Sequence, residues 1–185
     1  MNVSFDELRQ WIGRSESRIE RLSATPVAAL AATLDREDPE PRDGDTLPPL
    51  WHWLYFLPRA PQSQIGEDGH PKRGGFLPAV PLPRRMWAGG SLTFHQPLHI
   101  GETVTRVSRI DNVDLKQGRT GPLVFVKVQH ELSGAKGLAI TERQDIVYRE
   151  PATGGEALAP RLAPASCALV QIGTVRCMRG SGRRQ

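Results

Sequence analysis

The sequence predicts an α+β domain in which an antiparallel sheet packs against one central helix. Two stretches indicate this. The segment 27–34, VAALAATL, is rich in alanine and apolar almost all round, which is typical of a buried helix. The segment 86–149 contains β-branched and alternating apolar residues in long runs that are separated by short glycine turns. One helix followed by a run of strands is the arrangement of α+β folds.

Length and composition are those of a soluble globular protein. The chain has 185 residues, of which 38% are apolar, and this suffices for one domain with a sizeable core. No apolar run approaches the roughly 20 residues that a membrane helix needs. The first residues, MNVSFDELRQW, lack the basic start and apolar stretch of a secretory signal. We therefore expect a cytoplasmic protein that does not bind a membrane.

The net charge of +4 comes from the end of the chain. Lysine and arginine number 24 against 20 acidic residues, and the segment after Glu150 holds five arginines and one glutamate. A nucleic-acid surface needs a basic face on the folded body. The balanced charge before Glu150 therefore predicts no nucleic-acid partner.

Two helices and a strand are predicted near the N-terminus. Residues 5–12 have helical spacing with Ser4 as N-cap, and residues 16–23 are interpreted as a short strand. The second helix starts with Thr25 as N-cap and Pro26 at the first helical position, where its missing N–H costs nothing.

Proline-rich segments separate this helix from the sheet. The aromatic run WHWLYFL at 51–57 is predicted to be either a strand or a short buried helix. Residues 58–83 are predicted to be a long loop, and loops of that length in a compact domain tend to be lids or mobile segments.

The strands are predicted from residue 86 onwards. In ETVTRVSRIDNVDLK, at 102–116, the apolar positions drift, which indicates a bulge or a strong bend. The turn QGRTGP precedes a clean alternation that places five side chains on one face: Val124, Val126, Val128, His130 and Leu132. Because His130 lies among apolar residues, we expect a hydrogen-bonded core histidine. With the strand at 138–149, these segments form an antiparallel meander, and a sheet wrapped around a helix is the hotdog fold.

The pattern stops after Glu150. We expect residues 1–150 to form the hotdog domain, and 151–185 to be a Pro/Ala/Gly linker followed by an irregular, disordered tail. The two cysteines, Cys167 and Cys177, lie in this tail without histidine or cysteine partners at zinc-ligand spacing. The sequence therefore predicts no metal and no cofactor.

A resemblance to a known family covers residues 5–150. The similar stretches are WIGRSE, TPVAALAATLD, LPPLWHWLYFLP, GHPKRGGFLPAVPLPRRMWAGGSLTFHQPLHIGE, GRTGPLVFVKVQHEL and QDIVYRE. They resemble the N-terminal half of MaoC-like hydratase/dehydratases of the mesaconyl-CoA or itaconyl-CoA hydratase type. The most specific stretch is 69–102, where Phe94, Pro97, Gly101 and Glu102 match a pattern that hotdog hydratases share. The resemblance implies a hotdog fold and an acyl-CoA thioester as ligand.

The resemblance also implies a second hotdog half that carries the catalytic motif, an aspartate and a histidine about five residues apart. None of the five histidines follows an aspartate at that spacing, so the chain is predicted to contain no catalytic residue. Addition of water to an enoyl thioester needs a proton acceptor and a proton donor. We therefore expect a non-catalytic half that needs a partner half, or alternatively a stand-alone acyl-CoA-binding or regulatory protein. An active thioesterase is disfavoured, since Asp35 and Glu37 lie at the wrong end of the helix for its dipole to assist.

Candidate substrate-binding residues lie where the long loop joins the sheet. Arg85 is a candidate for pairing with a phosphate or carboxylate, and Trp87 for a wall of an acyl or pantetheine pocket. Gly89 and Gly90 would allow close backbone approach or a sharp twist.

Pairing of hotdogs edge to edge removes an exposed sheet edge, so we expect a homodimer or a heterodimer with the motif-bearing half. The arginine-rich tail suggests the hypothesis that a second half has been lost or is read out of frame. Translation of the downstream DNA in all frames tests it.

Overall fold

The computed structural model describes residues 5–66, 68–119 and 121–151, and the backbone of 174–178. The elements are α1 Phe5–Arg9, β1 Ser15–Arg21, α2 Ala24–Thr33, β2 Arg84–Phe94, β3 Thr103–Gly118, β4 Gly121–Gly134, β5 Gly137–Arg149 and β6 Thr174–Met178. These strands form one antiparallel sheet of order β1-β3-β4-β5-β2-β6. Two short 3₁₀ turns, Trp51–Leu54 and Gln62–Gln64, lie in the long connection between α2 and β2.

This architecture confirms the predicted α+β class and the single hotdog. The strand at the start of the chain, the turn at 117–122 and the meander β3-β4-β5 all lie where the sequence predicts them. The aromatic run adopts the helical alternative, with a 3₁₀ turn rather than a strand. The predicted cap Ser4 lies outside the described residues. No helix in the described ranges is both long and apolar enough to span a bilayer.

Helix α2 differs from its prediction in two respects. It begins at Ala24 with Ser23 at the N-cap, so Thr25 is not the cap and Pro26 is the third helical residue. Pro26 is still tolerated, because N–H groups in the first turn have no helical acceptor. Only Val27 of α2 is buried, so the helix is not enclosed as expected. The reason is that segment 47–56 supplies most of the side chains that cover this part of the sheet.

Two bulges determine which residues share the inner face of the sheet, defined as the face that carries the buried alternating side chains of β4. In β3 the register shifts between Ile110 and Asn112, which confirms the predicted bulge. In β2 it shifts between Trp87 and Gly89. Because side chains alternate along a strand, one extra residue reverses the parity. The inner face of β2 therefore comprises Arg85, Trp87, Gly90, Leu92 and Phe94, each opposite an even-numbered residue of β5.

Gly90 is explained by close packing at this bulge. A Cβ at Gly90 would lie 2.5 Å from the carbonyl oxygen of Arg143 and 3.4 Å from the Trp87 ring. A side chain cannot be placed there without movement of the backbone. The predicted close backbone approach at the double glycine is thus confirmed at Gly90.

The inner face carries two apolar clusters. One lies under segment 47–56 and includes Leu22, Val104 and Leu132. The other lies under α1 and the loop 76–82 and includes Ile110, Val126 and Tyr148. The residues between these clusters are polar, and they form the candidate site described below.

Strand β6 covers part of the outer edge of the sheet. Its backbone pairs antiparallel with Gly89–Thr93 of β2. These five residues belong to the tail after Glu150, and they pair where an edge strand offers unpaired N–H and C=O groups to an extended segment.

Candidate functional site

A polar row crosses the inner face from β1 to β5. Strand register places Glu16 opposite Ser108, Ser108 opposite His130, and His130 opposite Glu142. Ser108, His130 and Glu142 are buried. Burial of a polar side chain costs free energy unless the side chain is hydrogen-bonded. The hydrogen-bond partners of these residues therefore indicate the role of the row.

Glu142 is the centre of the row and is contacted by three side chains from two elements. Its Oε1 accepts from Trp53 Nε1 at 3.0 Å and from Gln144 Nε2 at 2.8 Å. Its Oε2 lies 3.5 Å from His52 Nε2, and both of these side chains are about 95% buried or more. The 3₁₀ turn Trp51–Leu54 thus places two adjacent side chains, His52 and Trp53, on one carboxylate of β5.

The 3₁₀ turn is held in position by two further hydrogen bonds. The Tyr55 hydroxyl donates to the Ser23 carbonyl at 2.6 Å, and the Phe56 amide donates to Glu20 at 2.6 Å. Phe56 has a left-handed backbone conformation with φ of 57°, which is costly for a bulky residue and persists only when its surroundings fix it. These contacts fix the turn over the inner face.

The carboxylate of Glu142 stays ionised at neutral pH. Burial raises the pKa of Glu142, but the contacts with His52 and Gln144 and the charges of His130 and His52 outweigh burial and hold that pKa below its ordinary value. A carboxylate with this pKa is a poor proton donor at neutral pH. Glu142 is therefore suited to holding its neighbours in place.

His130 confirms the prediction of a hydrogen-bonded core histidine. Its Nδ1 lies 2.8 Å from Ser108 Oγ. Burial lowers the pKa of His130, and the charge of Arg106 adds to this, whereas the nearby Glu142 opposes it. The net direction is downward from the ordinary value of 6.5.

The His130 pKa predicts acid sensitivity of the fold. Because the pKa of His130 is lower in the folded protein than in the unfolded chain, the unfolded chain binds more protons between these two values. The free energy of unfolding should therefore be highest above pH 6.5 and fall as the pH drops through and below it, with a further fall near and below 4.5 from Glu142. Urea denaturation at pH 7.5, 6.5, 5.5 and 4.5 measures this. In His130→Gln the fall between 6.5 and 5.5 should shrink; an unchanged fall in that variant would contradict the assignment.

Two adjoining clefts open beside the polar row. The aromatic cleft, of about 540 Å³, is lined by His52, Trp53, Tyr55, Phe56, Leu57, Pro58, Trp87, Arg106, Leu132, Glu142 and Gln144. The basic cleft, of about 420 Å³, shares Phe56, Pro58, Arg106 and Gln144 with it. Its other charged or titratable lining residues are Glu16, Arg18, Arg59, His70, Lys72, Arg73, Arg85 and His130. A concave, partly apolar site with a few polar groups is the usual form of a small-molecule site.

A third cavity, of about 320 Å³, lies on the other side of His52. Its walls are largely apolar and include Leu47, Phe94, Leu98 and Ile140. His52 thus separates this apolar cavity from the aromatic cleft.

The structure brings two of the predicted binding residues to the clefts. Arg85 lines the basic cleft and forms an ion pair with Asp68 at 3.1 Å. Trp87 lines the aromatic cleft and is 44% exposed. Gly89 and Gly90 lie at the bulge beside Trp87. The close approach of the Arg143 carbonyl oxygen explains why position 90 is a glycine, without the need for a ligand. Substrate contact by these four residues stays a prediction.

Sequence reasoning missed Glu142, His52 and Arg106. The expected motif pairs an aspartate with a histidine about five residues away, whereas Glu142 and His52 are far apart in the chain. The strand sequence LAITERQDIVYR does contain a signal for Glu142. Glu142 and Gln144 alternate in step with the apolar residues Ile140, Ile146 and Tyr148. That parity places two polar residues on the buried face of the strand.

Comparisons with known proteins agree with one another. A family model described as hydroxyacyl-thioester dehydratase type 2 matches residues 50–174. The chain is 52% identical over 141 residues to the mesaconyl-C(4)-CoA hydratase of Chloroflexus aurantiacus, a match that covers 76% of this chain and 50% of that protein. It is 35% identical over 89 residues to the mitochondrial hydroxyacyl-thioester dehydratase type 2 of Schizosaccharomyces pombe, with 44% and 30% covered. The chain spans at most about half the length of these curated relatives.

A solved structure supports the fold. The ChsH1–ChsH2 complex from Mycobacterium tuberculosis contains a chain that matches with a TM-score of 0.57 at 14% identity, covering 80% of this chain and 94% of that one. At this identity the likeness concerns the fold alone.

Proposed function

Because the chain belongs to the hydroxyacyl-thioester dehydratase type 2 family, we propose that it is the N-terminal, non-catalytic hotdog half of a MaoC-like enoyl-CoA hydratase or dehydratase. In this role it accommodates an acyl-CoA thioester. Water addition or removal then requires a partner half that carries the Asp/His motif.

One observation carries the proposal: a match of 52% identity that covers 50% of the length of a hydratase. Identity at this level supports a related ligand for this chain. The name of that relative makes mesaconyl-C(4)-CoA the first thioester to test.

The geometry of the clefts supports a binding role. The aromatic cleft offers Trp53, Leu57 and Trp87 as an apolar wall for an acyl chain or pantetheine arm. The adjoining basic cleft, with Arg85 at its lining, suits the negative charges of a CoA ester.

The polar row supports a role without acid–base chemistry. Hydration needs a group that takes a proton from water and another that donates one to carbon. Both oxygens of Glu142 contact donors, and its lowered pKa makes it a weak base as well as a poor proton donor at neutral pH. The proposal therefore assigns both proton transfers to the partner half.

Pairing with that partner is the second part of the proposal. We propose a homodimer of this chain in isolation and a heterodimer when the motif-bearing half is present. Edge-to-edge pairing would protect the backbone groups of an edge strand from unspecific association. Sedimentation that returns a stable monomer under all conditions would contradict this part of the proposal.

A reconstitution assay tests the proposed function. Hydration of mesaconyl-C(4)-CoA is followed by loss of the enoyl-thioester absorbance, with this chain alone, with a motif-bearing C-terminal hotdog alone, and with both. We expect turnover only with both present, because the ligand site and the proton-transfer groups lie in different halves. Turnover by this chain alone would overturn the non-catalytic assignment.

The alternative is a stand-alone acyl-CoA-binding or regulatory hotdog. It agrees equally well with the contacts of Glu142, whose two oxygens already lie against neighbouring donors. Tight binding of the thioester with no turnover in any combination would support the alternative.

A further inference from the structure

Arg106 is unusual among the cationic side chains of the two clefts. It lies on β3 directly opposite Arg18 of β1, so two guanidinium groups face each other across a strand pair. Like charges in that position are unfavourable unless an anion lies between or beside them. Burial and the charge of Arg18 lower the pKa of Arg106, and the charges of Glu16, Glu142 and Glu20 oppose this only in part.

The acidic groups near Arg106 are engaged elsewhere. Glu16 pairs with Arg18 at 3.3 Å. Glu20 accepts the Phe56 amide, and Glu142 is occupied by Trp53, Gln144 and His52. Within the described ranges, Arg106 forms no ion pair, and its Nε is buried without a hydrogen-bond partner. Its guanidinium packs over the Phe56 ring at 4.9 Å, which fixes its position.

Arg106 also lies at the junction of the aromatic cleft and the basic cleft, beside the apolar wall of the aromatic cleft. It shares the aromatic cleft with Leu57 and Trp87, and the basic cleft with Arg18 and Arg85. Arg85 and Arg73 pair with Asp68, whereas Arg106 forms no ion pair among the described residues, although the charges of Glu16, Glu20 and Glu142 act on it from a distance. A ligand with an apolar body and a carboxylate at one end therefore matches what this junction lacks.

We propose that Arg106 binds the free carboxylate of a dicarboxylic acyl thioester, so that the cleft selects thioesters whose acyl group carries a second acid function. The inference rests on the proposed function and names the acyl class of that same site. The guanidinium donates in its fixed fork to the two carboxylate oxygens while the acyl chain lies along the aromatic wall. A phosphate of CoA is the other anion of such a ligand, and the experiment separates the two.

The test is calorimetric binding of succinyl-CoA and butyryl-CoA, measured with fresh ligand. Both carry the same CoA and a saturated four-carbon chain, so neither can be hydrated, and only succinyl-CoA has a free carboxylate. The wild-type protein should bind succinyl-CoA more tightly. Arg106→Gln should weaken succinyl-CoA binding by about 10- to 100-fold and leave butyryl-CoA within about twofold, because a charge-assisted bidentate pair is lost from one ligand alone.

Two variants serve as controls. Arg143→Gln removes the same charge from the exposed outer face of β5 and should change neither affinity. Arg106→Lys keeps the charge but not the fork, and it should restore part of the preference. Thermal melting of each variant verifies that the fold is retained. If Arg106→Gln is destabilised, the comparison of the two ligands is made with Arg106→Lys instead.

The outcomes distinguish this inference from the proposed function. Equal weakening of both ligands would assign Arg106 to a CoA phosphate and overturn the inference alone. No weakening of either would overturn it too. If the wild-type protein binds neither thioester, the inference and the proposed thioester site both fail.

Discussion

Replacement of Glu142 by alanine is expected to lower the free energy of unfolding by about 3–5 kcal/mol, the usual loss when one member of a buried charged group is removed. The variant leaves Trp53 Nε1 and Gln144 Nε2 without their acceptor and removes the carboxylate that lies 3.5 Å from His52 Nε2. Glu142 itself is only 4% exposed, so its hydrogen bonds are largely shielded from solvent. Water that enters from the aromatic cleft would offset only part of their loss.

Urea denaturation at pH 7.5 measures this effect. Glu131→Ala is the matched control, because it makes the same substitution on the outer face of the neighbouring strand, where Glu131 is exposed. Its change should stay within about 0.5 kcal/mol. A loss in Glu142→Ala no larger than in the control would show that the carboxylate does not organise the inner face.

Replacement of Arg73 by alanine is expected to cost about 2–4 kcal/mol and to loosen the long loop before β2. Its guanidinium donates to the carbonyl oxygens of Val80, Leu82 and Pro83 and packs over the Tyr148 ring. Hydrogen bonds from a charged donor contribute about 1.5–3 kcal/mol each, and their loss overlaps when they share one side chain.

Two measurements check the Arg73 prediction. Urea denaturation gives the stability change, and limited proteolysis should show faster cleavage within residues 58–83. Lys72→Ala is the control: it removes an adjacent cation that forms no side-chain hydrogen bond or ion pair in the described part of the chain. Equal proteolysis rates for the two variants would contradict a role for Arg73 in holding the loop.

The elements that sequence alone predicts well are those with local signals. The alternation of β4 fixes which of its residues are buried, and the drift of apolar positions in β3 reveals its bulge. His130 could be assigned to the core from its neighbours alone. These features depend on residues within a few positions of one another.

The features that sequence misses depend on pairing between distant strands. Contact between His52 and Glu142 requires the register of β5 and the placement of a 3₁₀ turn, and neither has a local signature. The exposure of α2 is of the same kind. An alanine-rich apolar helix is usually enclosed, but here another segment competes for the same surface and covers it. Propensity and hydropathy do not decide such a competition.

Because of the bulge in β2, the number of residues in that strand determines which side chains face inward, whatever those residues are. Before Gly89 the odd-numbered residues of β2 face inward, and after it the even-numbered residues do. The half of β2 next to the long loop and the half next to the core therefore have opposite alternation. Individual side chains such as Arg85 or Trp87 can change one at a time without disturbing Leu92. Loss of a single residue between them would instead turn the loop-side half over and move Arg85 and Trp87 to the far side of the sheet. Substitutions can thus change the cleft-lining side chains of β2 one at a time, whereas an insertion or deletion between Trp87 and Gly90 would reverse the orientation of all of them.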